Sequence, residues 1–148
     1  MLRPRPQSLL FACSENAVRS PMAEALARQW FGRAMHLTSA GVRPGERDPF
    51  VTAVMDEVGI DLSRHRPRRF EDLEDDSFDA IISLSPEAHH RALEYTRTMA
   101  VDVIYWPTFD PTATEGSRNT VLDAYRGVRD HLLARIRREF DWRPTGAV

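Results

Sequence analysis

Cys13 is followed by Ser14, Glu15, Asn16, Ala17 and Val18, then by Arg19 and Ser20-Pro21. A thiol and a guanidinium with five residues between them can meet across one tight loop. Such a loop can turn its backbone N–H groups inward and form an anion nest. The helix start signal at Ser20-Pro21 aims a positive helix end at the same spot. Arg19 can fork two oxygens of a phosphate-like group. The same field favours a thiolate, the nucleophilic form of cysteine, and Ser20 can donate a hydrogen bond to its sulfur. Ser14, Glu15, Asn16, Ala17, Val18 and Ser20 are therefore expected to line an oxyanion site in which Cys13 and Arg19 act. A lone cysteine reads more simply as a buried inert thiol. Arginine at the sixth following position, serine at the seventh and a strand-to-helix setting outweigh that reading.

The loop needs a strand before it and a helix after it. Four short apolar runs read as strands: Ser8–Ala12, His36–Ala40, Ala80–Leu84 and Val101–Tyr105. The first, third and fourth are nearly continuous in apolar character, as for strands covered on both faces. Helical spacing falls between them. Pro21–Phe31 carries a stripe of Met22, Ala25, Leu26 and Trp30. Asp48–Val58 opens with a capping Asp and Pro49, and Gly59 stops it. Ser85-Pro86 gives the same start signal before Glu87–Thr98. Asn119–Phe140 places Val121, Leu122, Tyr125, Val128, Leu132, Leu133, Ile136 and Phe140 at helical intervals. The acidic stretch Glu71–Asp76 reads as a solvated short helix or loop. Alternation of strand and helix predicts one α/β domain, a four-stranded parallel sheet in order 2-1-3-4 with helices on both faces. Ligands of such sheets bind beyond the carboxyl ends of the strands. Cys13, Ser39-Ala40-Gly41, Ser83–Ser85 and Asp110 stand there.

The 148 residues suffice for one domain. Residues 1–7 are expected to be a flexible segment, 8–142 the domain and 143–148 a tail. The net charge of −2 gives no support for a nucleic-acid partner. All 20 basic residues are arginine. The single cysteine rules out an internal disulfide and a multi-cysteine zinc site. No apolar run is long enough for a membrane span, and no secretory signal is evident. A reducing cytoplasm suits a free reactive thiol. No metal or cofactor is expected. His89-His90 reads as surface, because adjacent helical residues point in different directions. Arg64, Arg66, Arg68 and Arg69 read as a solvated face that could also meet an anionic substrate or partner.

At these positions the sequence resembles the low-molecular-weight protein tyrosine phosphatases and the arsenate reductases that share their fold. The likeness runs through Cys13–Leu26, Ser39-Ala40-Gly41, Gly59-Ile60-Asp61-Leu62-Ser63-Arg64-His65, Ala80–Ser83 and Asp110-Pro111. The resemblance implies that Cys13 attacks phosphorus and forms a phosphocysteine, stabilised by Arg19 and the loop amides. It implies that Asp110 protonates the leaving oxygen and later activates water. Hydrolysis needs such an acid in any case, since an alkoxide or phenoxide leaves poorly at neutral pH. By itself, Asp110-Pro111 would read as a turn or a helix cap. Asn16, Ser39 and His65 look like the family's supporting network, with Ser39 and His65 holding the Asn16 side chain. Asn tolerates the left-handed backbone that a tight loop can require.

Four departures from the pattern matter. Glu15 stands where the phosphatases usually have Gly, and a carboxylate 4 Å from a negative group costs about 1–4 kcal/mol per charge pair, depending on the dielectric. Glu15 must point outward, or the substrate must bring a positive group. Val18 replaces a second cysteine that can protect the nucleophile as a disulfide, so Cys13 lacks that refuge from overoxidation. Val42-Arg43-Pro44-Gly45 and Thr112-Ala113-Thr114 stand where phosphotyrosine enzymes place aromatic residues, which leaves less stacking surface for a phenyl ring. The additional cysteines of thioredoxin-coupled arsenate reductases are absent.

Three functions are compatible with these residues. The first is hydrolysis of a phosphorylated protein or small phosphomonoester through Cys13, with Asp110 as general acid. The second is arsenate reduction by Cys13 with an external thiol or glutaredoxin. The third is a non-catalytic oxyanion-binding regulatory module, against which Asp110 argues, since binding needs no acid. The sequence carries no sign of oligomeric state.

Overall fold

The computed structural model describes residues 6–74 and 77–140. Of the expected flexible segment, Met1–Arg5 lies outside the described residues. Pro6 is buried, and the Gln7 N–H donates to Asp79 Oδ2 at 2.6 Å. The expected tail at 143–148 also lies outside them, as do Asp75 and Asp76 of the acidic stretch.

Four parallel strands form one sheet in the order β2-β1-β3-β4. They are β1 (Ser8–Cys13), β2 (His36–Gly41), β3 (Ala80–Ser83) and β4 (Asp102–Tyr105). The α-helices are α1 (Arg19–Phe31), α2 (Pro49–Asp56), α3 (Pro86–Leu93) and α4 (Arg118–Glu139). The fold is the expected α/β domain with helices on both faces. Strand boundaries move by one residue from the sequence expectation. β1 carries its ladder one residue further, where Cys13 pairs with Gly41.

The period-two alternation of β1 sorts two cores. Leu9, Phe11 and Cys13 face α1, α2 and α4, among Met22, Leu26, Val54, Met55, Leu132 and Ile136. Leu10 and Ala12 face α3, with Ile81, Phe70, Phe78, Ala88 and Ala92. β3 is buried throughout and β1 from Leu9 to Cys13, as their continuous apolar runs predict. β4 is an edge strand and only half-buried. Its apolar run misleads: Val103 and Ile104 pack at the margins of the two cores and stay partly exposed.

Helix limits follow local chemistry. α2 ends at Asp56 rather than Val58; Gly59, at φ 78°, turns the chain so that Ile60 N–H reaches Met55 O at 3.0 Å. α3 ends at Leu93 and tightens into a 3₁₀ turn at Glu94–Arg97, where one helix was expected. Glu71 and Asp72 of the acidic stretch belong to a 3₁₀ turn at Phe70–Asp72, and Leu73 and Glu74 follow it without helical structure. His89 departs from a plain surface reading. Its ring stacks on Tyr105 and shares a 2.8 Å hydrogen bond with Ser83 Oγ, whereas His90 is exposed. No described helix is long and apolar enough to cross a membrane.

Candidate active site

The β1–α1 loop lies at the carboxyl end of the central strand, with β2 and β3 on either side. Gly41, the residue paired with Cys13, lets the backbones close. A Cβ there would stand 2.7 Å from Asn16 N and 2.8 Å from Glu15 C. The chain beyond Gly41 then straps the back of the loop. Val42 N–H reaches Ser14 O at 2.9 Å, Arg43 N–H reaches Ser14 O at 3.1 Å, and Gly45 N–H reaches Glu15 O at 2.9 Å. His65 Nε2 lies 2.8 Å from Asn16 O, so that nitrogen carries the proton and donates. The loop carbonyls are thus engaged on the outer side. In a trans peptide the N–H points opposite to the C=O. Among the described residues, no protein acceptor meets the N–H groups of Ser14 to Val18. The amides that follow the engaged carbonyls, those of Glu15, Asn16 and Ala17, therefore point away from the strap, as an anion nest requires.

α1 begins at Arg19, one residue before the expected Ser20-Pro21 start, and Val18 at its N-cap gives no side-chain hydrogen bond. α2, α3 and α4 are capped by Asp48, Ser85 and Ser117. The uncapped end of α1 leaves helix N–H groups for an anion. Ser20, released from capping, places its Oγ 2.9 Å from Cys13 Sγ.

The direction of that bond follows from a chain of partners. The Glu24 carboxylate is acceptor-only, so Ser39 Oγ donates to Glu24 Oε1 at 2.5 Å. Ser39 Oγ accepts from Asn16 Nδ2 at 2.9 Å, and Ser20 Oγ accepts from the same nitrogen at 2.8 Å. The Ser20 proton is then free to point at sulfur. Asn16 Oδ1 accepts from Arg68 N–H at 3.1 Å, which fixes the amide orientation. Asn16 sits at φ 54°, in the left-handed region. The expected network of Asn16, Ser39 and His65 is assembled, with one difference: His65 holds the Asn16 carbonyl rather than its side chain. Glu24 and Arg68 join it unforeseen. Arg68 also donates through Nε to Ser39 O at 3.0 Å, so its side chain is not simply part of a solvated face. Ser14 Oγ bonds Ser85 Oγ at 3.1 Å and ties the loop to the start of α3.

Arg19 is 9% exposed, and its Nη1 is held by Thr108 O at 3.1 Å. Its Nη2 lies 3.8 Å from Asp110 Oδ2. Asp110 Oδ1 accepts from Thr112 N–H at 3.0 Å and from Thr112 Oγ1 at 2.8 Å, capping a 3₁₀ turn at Pro111–Ala113. Asp110 thus caps the turn with one carboxylate oxygen and turns the other toward Arg19. Cys13, Arg19 and Asp110 line one open cleft of about 500 Å³. Ala17 and Val18 line it as well, whereas Asn16, Ser20 and Ser39 are buried behind it.

Glu15 points outward. Its carboxylate is about half exposed and stands 3.7 Å from Arg43. No described residue lining the cleft is aromatic. Phe109, beside Asp110 and two-thirds exposed, lines a separate apolar hollow against Ala124, Gly127 and Val128 of α4. Tyr125 donates to Asp48 Oδ2 at 2.6 Å. Burial first, and then that bond, raise its ionisation well above the usual phenol range. It remains a neutral donor that fixes Asp48 at the cleft wall.

The glutaredoxin arsenate reductase of a Synechocystis strain is 35% identical over 131 residues, covering 88% of this chain and 93% of that protein. A solved arsenate reductase in its oxidized state superposes with a TM-score of 0.75 at 26% identity, covering 91% of this chain and 97% of the other. The fold is also that of the YwlE arginine phosphatase from Geobacillus stearothermophilus, with a TM-score of 0.70 at 24% identity and 92% of each chain covered. Residues 8–143 match the low molecular weight phosphotyrosine protein phosphatase family as a whole, and the chain belongs to that family.

Proposed function

We propose that the protein hydrolyses phosphomonoesters through a phosphocysteine. The Cys13 thiolate attacks phosphorus; an S–P bond forms as the P–O bond to the leaving group breaks. Arg19 and the Ser14–Val18 amides hold the equatorial oxygens. Asp110, protonated in this step, gives its proton to the departing oxygen. Water then attacks the phosphocysteine, Asp110 takes the water's proton, and phosphate and free thiolate are released. The Ser20 hydroxyl steadies the sulfur in both steps. Asn16, Ser39, His65 and Glu24 keep the loop open around the anion. One observation carries this reading: a carboxylate that binding alone does not require opens on the same cleft as the thiol and the guanidinium.

A second reading is favoured by the 35% identity to a glutaredoxin arsenate reductase. Here the Cys13 sulfur bonds arsenic in place of phosphorus. External thiols, such as glutathione with glutaredoxin, supply the two electrons that reduce As(V) to As(III), and are oxidised to a disulfide. The single cysteine makes an external donor obligatory.

Parallel assays separate the two. Release of p-nitrophenol from its phosphate ester, lost in Cys13→Ser, is the expected result. Arsenite formation with glutathione and glutaredoxin, without ester hydrolysis, would replace the first reading by the second. An unchanged ester rate in Cys13→Ser would remove the phosphocysteine. For Asp110→Asn, the loss is expected to be on the order of 10²–10⁴ with a poor leaving group and smaller with an activated ester. Equal losses would end the acid role.

A further inference from the structure

The mouth of the cleft is acidic in a way that oxyanion binding does not explain. Four carboxylates line it, those of Glu15, Glu46, Asp48 and Asp110, against the guanidiniums of Arg19 and Arg43. Arg19 serves the oxyanion. Arg43 is already engaged: Glu87 takes it at 2.7 and 2.8 Å, and Glu15 stands 3.7 Å away on the other side. The nearby Arg47 turns outward to Ser63 O. Three of the lining carboxylates also have partners. Asp48 is held by Tyr125 and its own helix cap, Asp110 by Thr112, and Glu15 by Arg43. Glu46 differs. It is exposed at the cleft wall and makes no hydrogen bond or ion pair with any described residue. A negative rim around a dianion site repels acidic surroundings of the phosphorylated group. It attracts cationic ones.

We propose that this mouth selects phosphoryl groups whose neighbouring side chains carry positive charge, and that Glu46 is the residue that makes the selection. The proposal rests on reading Cys13–Arg19 as the oxyanion site and adds the class of substrate it admits. The lip that holds Glu46 supplies no aromatic face, so charge takes the discriminating part that ring stacking plays elsewhere. A single exposed pair near contact distance in water is worth about a factor of five. Two flanking cations therefore give a preference of roughly 5- to 25-fold at low salt, falling as salt rises.

Two phosphotyrosine peptides, identical except for Arg or Glu at the two positions on either side, provide the test. Their binding is measured to the full chain carrying Cys13→Ser, with or without Glu46→Arg; their turnover is measured with the wild-type cysteine. The Arg-flanked peptide is expected to bind several-fold tighter, and Glu46→Arg to erase or invert that order. Equal binding of the two peptides, no measurable binding of the Arg-flanked one, or an unchanged preference in Glu46→Arg would each overturn the selection. Failure of hydrolysis with the wild-type cysteine, while selective binding persists, would instead overturn the phosphatase reading alone.

Discussion

Asn16 meets two demands at once: a backbone turn at φ 54° and a side chain that bonds three partners, Ser20, Ser39 and the Arg68 N–H. Its residue type was legible, because few side chains tolerate that backbone region. Cys13 and Arg19 were singled out by spacing, and Asp110 by its place after the fourth strand together with the family resemblance; the structure brings all three to one cleft. Glu24 was not singled out. It lies one helical turn beyond Ser20, and its tie to the loop runs through Ser39, which arrives only because β2 pairs with β1. Replacing Glu24 by Ala removes the acceptor that orients the whole donor chain. A charge-assisted hydrogen bond contributes about 1.5–3 kcal/mol, so kcat for ester hydrolysis should fall by about 10- to 100-fold. Glu24→Gln keeps an acceptor oxygen and should recover most of the rate. Equal loss in both variants, with equal melting temperatures, would show that Glu24 does not set the polarity.

At the scale of elements, the site depends on a close approach between the β1–α1 loop and the end of β2. Gly41→Ala places a methyl group into the backbone of Glu15 and Asn16. Both contacts are to backbone, which cannot swing aside. Phosphate or ester-analogue affinity should drop at least 10-fold, and thermal melting should fall with it. A glycine after Ser39-Ala40 is easy to read; the reason for it needs the two strands side by side. The pairing of α2 with α4 was equally hidden. Arg126 and Arg129 of α4 both reach Glu57, just past α2. Hydrogen bonds from Arg126, and next from Arg129, hold the Glu57 carboxyl down at about 2, against an ordinary 4.5. A carboxyl depressed in the folded state stabilises above its unfolded value and loses that contribution as pH falls through its folded one. Glu57→Gln should therefore be less stable than wild type at pH 6–7. The difference should shrink below about pH 4.5 and vanish near 2, as followed by urea unfolding across that range.

For the whole molecule, periodicity was enough to give the order of strands and helices, since each apolar run had one compatible place in a doubly covered sheet. The partial exposure of β4 and the 3₁₀ ending of α3 escaped it, being settled by neighbours rather than by local sequence. The larger core lies on the α1, α2 and α4 face, and Leu132 is fully buried within it. Leu132→Ala should cost about 2–5 kcal/mol in denaturant unfolding without altering the geometry of the cleft. A loss of activity greater than the loss of folded protein would contradict that separation.

β1 is an inner strand of the sheet, yet it comes first among the described strands in chain order, and Arg19 is fastened to Thr108, 89 residues later. A chain made from its amino end produces the sulfur early and the carbonyl that seats Arg19 late. Until β4 and the segment after it have docked, the thiol has neither a fixed guanidinium nor Asp110 beside it. Long sequence separations of this kind slow folding. Here they also set an order: the surroundings that the proposed nucleophile needs exist only in a chain that has been synthesised past Asp110.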